Sequence, residues 1–149
     1  MEKTNLSNFN QQLKDMTQDI KVLLGENDPD ILRFEASMDV LKFNARAYIN
    51  FFRDKILTDN NRYHIFTENE HFFLQNDFLE YTQNNSYNFS IMNKLKNIWK
   101  HTDIANQQKI FNYFKILIYY SDLDSSIDTK EELQRVTQLI EQTSSEQST

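Results

Sequence analysis

The sequence predicts an all-α protein that folds as a compact, bundle-like assembly of about six helices. Apolar residues recur every three or four positions through most of the chain, which is the period of one helix face. No stretch alternates apolar and polar residues over more than a few positions, so no sheet is expected. The length of 149 residues, with twelve Phe and seven Tyr, favours one domain with a substantial core.

The first helix has the clearest pattern. Its apolar residues follow one another in steps of four, three, four and four, which places them on one stripe. They are Phe9, Leu13, Met16, Ile20 and Leu24. Ser7 is the expected N-cap, and Gly25, the single glycine of the chain, is expected just after the last turn.

The next helices are predicted from their start signals. Asp28 followed by Pro29 is typical of an N-cap and a first helical position. Asn44 is the expected N-cap of a third helix. Between residues 58 and 88 the pattern is weaker. Tyr63–Phe66 and Glu70–Leu74 are interpreted as one short helix each or as one interrupted helix, and residues 83–86 as a loop.

The second half of the chain contains three further predicted helices. Their expected N-caps are Ser90, Thr102 and Thr129, the last in a capping box with Glu132. The helix after Thr102 is predicted to be the longest and most buried, and residues 122–128 to form an acidic loop. Residues 143–149 are only Ser, Thr, Glu and Gln, so a disordered tail is expected after a domain spanning residues 1–142.

Composition indicates the compartment and the genomic background. The chain has no cysteine, which favours a reducing environment, and it begins with a polar run in place of an apolar signal core. Its most apolar stretch, Ile110–Tyr120, is too short to cross a bilayer. The expectation is therefore a cytoplasmic protein without a membrane segment. The abundance of Asn, Ile, Lys and Phe, against one Gly and one Pro, indicates an A/T-rich genome.

The sequence argues against most kinds of catalytic or cofactor site. Glycine-rich phosphate cradles need several glycines, and thiolate chemistry needs cysteine. His64 and His71 lie seven positions apart, which on one continuous helix is roughly 10 Å, too far for a shared ion. A metal-dependent enzyme built on them is the unfavoured alternative. No catalytic residue, cofactor or metal ligand is therefore expected, and the protein is predicted not to be an enzyme.

Charge is unevenly distributed along the chain. Residues 91–120 contain five Lys and one Asp, whereas residues 121–149 contain seven acids and two bases. A basic surface interleaved with aromatic residues can bind nucleic acid. Its residues would be Lys94, Lys96, Lys100, Lys109 and Lys115. The net charge of −6 opposes non-specific attraction to phosphate, so nucleic-acid association is the second hypothesis for function.

Neighbouring aromatic residues support the leading hypothesis, which is protein–protein interaction or scaffolding. Phe72 and Phe73, like Phe51 and Phe52, are adjacent and therefore about 100° apart on a helix. One of each pair can enter the core while the other lies near the rim. Exposed apolar groups mark interfaces when they are contiguous. Phe72 and Phe73 are thus the predicted contacts with another protein.

Two segments resemble small helical proteins of giant DNA viruses. Glu70–Leu74, followed by Asn76–Phe78, is similar to an acidic-x-Phe-Phe-Leu element in those proteins. Ile98–Lys100 with Gln108–Leu117 resembles their Trp-then-aromatic helix pair. The resemblance covers about residues 38 to 122. It implies no catalytic residue, and it implies a virion or virus–host component as the setting, in the host cytoplasm or in the virion.

Overall fold

The computed structural model describes residues 4–74 and 91–147, which are entirely helices and their connections. Eight α-helices follow in chain order: α1 (Asn5–Leu24), α2 (Pro29–Ser37), α3 (Ala47–Phe51), α4 (Asp59–Phe66), α5 (His71–Leu74), α6 (Ile91–Ile98), α7 (Ile104–Asp124) and α8 (Thr129–Gln147). Neither described segment contains a β-strand, which confirms the all-α class. Helices α4 and α5 account for the excess over the predicted six.

Short irregular turns extend three of these helices. A 3-10 segment, Met38–Lys42, continues α2, and another, Trp99–His101, continues α6. A π-helical turn, Phe52–Ile56, continues α3. The predicted third helix is therefore one short α-helix followed by a wider turn.

The long helices α1 and α7 pack along each other and form the centre of the domain. Around them, α2 contacts α1 and α6, α4 contacts α7 and α8, and α5 contacts α4 and α6. The apolar stripe predicted for α1 lies in the core at Phe9, Leu13, Met16 and Ile20. Phe51 and Phe52 are both buried, so the expectation that one lies near the rim is wrong for this pair.

The start of α1 differs from the prediction by three residues. The hydroxyl Oγ1 of Thr4 accepts a hydrogen bond from the backbone N–H of Ser7 at 3.0 Å, so Thr4 is the N-cap. At the other end, Gly25 has φ +100° and donates its N–H to the carbonyl of Lys21 at 2.9 Å, as predicted for the helix end. A side chain at Gly25 would be strained by this backbone conformation alone.

A side chain caps the start of α2 but not the start of α3. Asp28 caps α2 with Pro29 at its first position, as predicted, and its Oδ1 accepts from the N–H of Asp30 at 2.9 Å. Asn44 lies in the turn before α3, where its Oδ1 accepts from the N–H of Arg46 at 3.2 Å. Helix α3 itself begins at Ala47 after Arg46 and has no side-chain cap, so the predicted N-cap at Asn44 is wrong.

Aspartates cap both C-terminal helices, one residue away from the predicted threonines. Oδ1 of Asp103 accepts from the N–H of Asn106 at 2.8 Å and caps α7 in place of Thr102. Oδ1 of Asp128 accepts from the N–H of Glu131 at 2.9 Å at the start of α8, in place of the predicted Thr129 capping box.

Helix α8 continues to Gln147, five residues beyond the predicted domain boundary at residue 142. Ser, Thr, Glu and Gln can extend a helix that tertiary packing has already nucleated, here through the buried Val136. The loop predicted at residues 83–86 and the cap predicted at Ser90 lie outside the described residues. Among the described helices, none is both long and apolar enough to cross a membrane.

Candidate interaction surface

The predicted contact residues Phe72 and Phe73 are both completely buried. The Phe73 ring stacks on Trp99 with centroids 4.0 Å apart, and the Phe72 ring meets Phe114 edge-on at 5.5 Å. Helix α5 is a single turn, and its two rings contact each other with centroids 4.8 Å apart, while both also meet Phe114 of α7. The expectation that one of the two rings lies near the rim is therefore wrong, and neither ring is accessible to a partner.

The lysines of the predicted basic surface contact different parts of the fold. Lys94 of α6 points to the start of α2, with its Nζ 3.1 Å from Oδ2 of Asp28 and 3.8 Å from Oδ2 of Asp30. Burial opposes ionisation of Asp28, but hydrogen bonds from Lys94 and from two backbone N–H groups hold the pKa of Asp28 below its ordinary value. Lys94 thus serves as an ion-pair partner within the fold.

Two further lysines, Lys109 and Lys115, form ion pairs on different sides of α7. Nζ of Lys109 lies 3.2 Å from Oδ2 of Asp19 in α1, and Nζ of Lys115 lies 3.4 Å from Oε2 of Glu68. Six positions separate these lysines, which places them about 120° apart around the helix. Lys96 is half-buried and Lys100 is exposed. The structure does not bring the five lysines onto one face.

A groove of about 340 Å³ is lined by residues from the C-terminal half of α1 and the N-terminal half of α7. Its polar side chains contact one another: the Tyr113 hydroxyl donates to the Asp19 carboxylate, which also pairs with Lys109. Burial, together with that carboxylate, raises the pKa of the Tyr113 phenol. The groups that would recognise a ligand in this groove are therefore already hydrogen-bonded.

The two histidines that were expected to be about 10 Å apart are in contact. The ring centroids of His64 and His71 are separated by 5.1 Å. The expectation assumed one continuous helix, but α4 ends at Phe66 and the chain turns at Glu68, whose φ is +53°. Burial, and then the charge of His71, lower the pKa of His64. No group of three or more His, Asp or Glu able to hold a metal ion occurs in the described part of the chain.

A buried ion pair joins α4 to the end of α7, where an acidic loop was predicted. Asp122 and Arg62 are nearly inaccessible to solvent. Two residues later, Oδ2 of Asp124 lies 2.6 Å from Nη2 of Arg46 and 3.0 Å from Nη2 of Arg53. Asp122, Arg62 and Asp124 are thus paired within the fold, whereas the Arg46 and Arg53 side chains are 43% and 35% exposed.

The exposed side of α7 carries an apolar stripe, hereafter the α7 stripe, formed by Ile116, Tyr119 and Leu123. Their exposed fractions are 38%, 49% and 39%. At 100° per residue the three lie within about 60° of each other, on the side of α7 opposite its buried residues. Those buried residues include Ile110, Phe114 and Leu117. The α7 stripe is therefore a second apolar face that the fold leaves open.

The same side of α7 carries only a small residue, Ala105, and two polar ones, Gln108 and Asn112, in its N-terminal half, and all three are exposed. The apolar character is thus confined to the last two turns. Sequence reasoning identified the core face of this helix and missed the stripe. The signal was present as steps of three and four from Ile116 to Leu123, and it became interpretable once the opposite face was known to be buried.

Comparison with protein-family models, curated proteins and solved structures finds no match to this chain. The resemblance to small helical proteins of giant DNA viruses therefore rests on the sequence segments alone and stays a prediction.

Proposed function

We propose that this protein is a non-enzymatic interaction or scaffolding protein that binds an amphipathic helix of another protein along the α7 stripe. The observation that carries the proposal is the position of Ile116, Tyr119 and Leu123, which are exposed on the face of α7 opposite the core. Single exposed apolar residues are ordinary, but three contiguous ones on one helix face mark an interaction surface.

The spacing within the stripe favours a helix as the occupant. Apolar residues at positions i, i+3 and i+7 form the seam that one helix presents to another in a coiled coil. An amphipathic partner helix would place its own i, i+3, i+4 and i+7 residues against this seam. Tyr119 at the centre supplies a large, rigid ring with a hydroxyl that can stay in water at the rim.

The charge of the chain favours a different protein over a second copy as the partner. Two copies would each carry −6, and like charges oppose association. The C-terminal end of α7 carries the negative end of the helix dipole and leads to exposed Asp128 and Glu131. A partner helix with Lys or Arg beside its apolar face fits this end.

The nucleic-acid hypothesis has weaker support. Lys94, Lys109 and Lys115 are engaged with acids of the same chain, so neutralising phosphate would require breaking those ion pairs. The setting that we propose is the one implied by the resemblance, a virion or virus–host component in the cytoplasm.

The proposal is tested by capture of partners from the native source with matched variants. Leu123→Asp places a charge in the α7 stripe, and Phe43→Asp places one at a 91% exposed aromatic elsewhere. Both sites are exposed, so both variants should keep the wild-type helical spectrum. Leu123→Asp places a negative charge in the last turn of α7, where the helix dipole opposes it, so its melting temperature should fall slightly. We expect Leu123→Asp to lose a partner that wild type and Phe43→Asp both retain.

The opposite pattern would contradict the proposal. If Leu123→Asp and Ile116→Asp capture the same proteins in the same amounts as wild type, the stripe is not the docking face. A partner retained by the stripe variants but lost in Lys100→Glu, and released by nuclease, would instead support the nucleic-acid hypothesis.

A further inference from the structure

The turn between α4 and α5 brings His64 and His71 together on one side of the domain. The backbone N–H of Asn69 donates to the carbonyl of His64 at 2.8 Å, which closes the turn directly after Glu68. The chain then enters α5 at His71. The two rings are tilted by 41° with centroids 5.1 Å apart.

The separation of the rings matches that of two imidazoles bound to one metal ion. A zinc–nitrogen bond of about 2.0–2.1 Å, extended by roughly 1.2 Å to the ring centre, places each centroid about 3.2 Å from the ion. Two such ligands at about 90–109° have centroids about 4.5–5.2 Å apart. The observed 5.1 Å lies within that interval.

One ring nitrogen of the pair has no partner. Nδ1 of His64 is buried and makes no hydrogen bond. A buried polar atom in this condition is costly, and a neutral imidazole with its proton on Nε2 presents a lone pair at Nδ1. His71 is exposed, so its ring can rotate to admit an ion without disturbing the core.

We propose that His64 and His71 together bind one divalent transition-metal ion of the kind that prefers imidazole, namely Zn²⁺, Ni²⁺ or Cu²⁺. Ca²⁺ and Mg²⁺ are excluded as occupants because they require oxygen ligands. In the described part of the chain no third side chain of a suitable type joins the pair. Water molecules complete the coordination on the side of the exposed His71.

Such an ion would stabilise the turn between α4 and α5. Helix α5 carries Phe72 and Phe73 into the core, so linking His71 to His64 restrains the element that holds these rings in place. An ion that binds the folded chain and not the unfolded chain raises its stability by mass action. This inference is independent of the function proposed for the α7 stripe, which lies on other residues.

The test is calorimetric titration of the tag-free, chelator-treated full chain with zinc chloride and, separately, with copper chloride. We expect saturable binding of one ion per chain, and no binding of Mg²⁺. His71→Ala, at an exposed position, should weaken the affinity by more than about tenfold, the lower end of what loss of even an outer-shell partner costs. His101→Ala is the matched control, because it removes an exposed histidine outside the pair and should leave the affinity unchanged.

A second measurement covers the case in which His64→Ala does not fold. Substoichiometric Cu²⁺ should broaden the imidazole proton signals of His64 and His71 in the wild-type NMR spectrum and leave those of His101 sharp. Absence of saturable binding, equal loss in His101→Ala and His71→Ala, or equal broadening of all three histidines would overturn the proposal.

Discussion

Arg62 and Asp122 form a bidentate ion pair inside the domain, although they lie 60 positions apart in the sequence. Nη1 of Arg62 lies 2.6 Å from Oδ2 of Asp122, and Nη2 lies 2.8 Å from Oδ1. The Thr129 hydroxyl donates to the same Oδ2 at 2.8 Å. One carboxylate therefore connects α4, α7 and the start of α8. The planar guanidinium is the side chain that matches both oxygens at once.

Breaking this pair from one side should be costly. Arg62→Ala leaves a buried, uncompensated carboxylate and is expected to lower the free energy of unfolding by about 3–5 kcal/mol. Arg62→Met with Asp122→Leu removes both charges and should cost much less, since apolar replacements of buried pairs are often neutral. Urea denaturation of Arg62→Ala and of the double variant measures this difference. A double variant no more stable than Arg62→Ala would contradict it.

The Asp124 carboxylate predicts a specific loss of stability in acid. Its hydrogen bond from Arg46, together with Arg53, holds the pKa of Asp124 below its ordinary value, despite partial burial. A group with a lowered folded-state pKa stabilises the fold above its unfolded value, about 3.9, and loses that contribution as the pH falls through the folded value. Asp124→Asn should therefore be less stable than wild type at pH 7, and the difference should shrink below about pH 4.

The control for this pH dependence is Asp39→Asn. The Asp39 side chain is 76% exposed and makes only a local contact with Lys42. Melting temperatures measured from pH 7 to pH 2 should fall in parallel for this variant and wild type. If the melting temperature of Asp124→Asn also falls in parallel with that of wild type from pH 7 to pH 2, the assignment of the acid-sensitive ion pair to Asp124 is wrong.

Phe73 is buried in the core, and truncating its side chain is expected to lower the free energy of unfolding. Its ring stacks on Trp99 and meets Phe111 edge-on at 5.4 Å. Phe73→Ala leaves a cavity and should cost about 3–5 kcal/mol. Phe43→Ala, at an exposed aromatic, should stay within about 0.5 kcal/mol of wild type. Chemical denaturation distinguishes the two. A Phe73→Ala variant with an unchanged free energy of unfolding would contradict the burial of this residue.

Helical periodicity was sufficient to predict the elements that are long and pack on one face. The spacing of the apolar residues from Phe9 to Ile20 was enough to predict the buried face of α1. The single glycine, Gly25, was enough to predict where that helix ends. The caps at Thr4, Asp103 and Asp128 were displaced because several Ser, Thr and Asp residues stand near each helix start. Local preference does not distinguish among them, and the packing of the helix decides which one becomes the cap.

The candidate sites depend on contacts that the sequence does not encode locally. The His64–His71 contact follows from a turn at Glu68, a non-glycine residue at positive φ, where the sequence carries no glycine signal. Asp122 belongs to an acidic run typical of a solvated loop, and only the tertiary fold brings Arg62 to it. Phe72 and Phe73 have the spacing of a half-exposed pair, but both rings are buried against each other and against Phe114 of α7.

Nucleic acids should bind weakly. Because three of the five lysines in the basic region pair with acids of other elements, we expect dissociation constants no tighter than about 0.1 mM for DNA and RNA at physiological salt. Fluorescence anisotropy with labelled single- and double-stranded oligonucleotides measures this. Lys100→Glu is the cleanest variant, since Lys100 is exposed. Submicromolar, salt-dependent binding that this variant weakens would make nucleic-acid association the better account.

Site-specific photo-crosslinking at Tyr119 tests the docking face most directly. A benzoyl-phenylalanine replaces Tyr119 at the centre of the α7 stripe, and a matched chain carries it at the exposed position Phe43. After irradiation with an extract of the native source, mass spectrometry identifies the attached peptide. The account predicts an adduct at position 119 to an amphipathic helix with basic flanking residues, and none to that helix at position 43. Adducts at position 43 alone, or at position 119 only to a second copy of this chain, would contradict it.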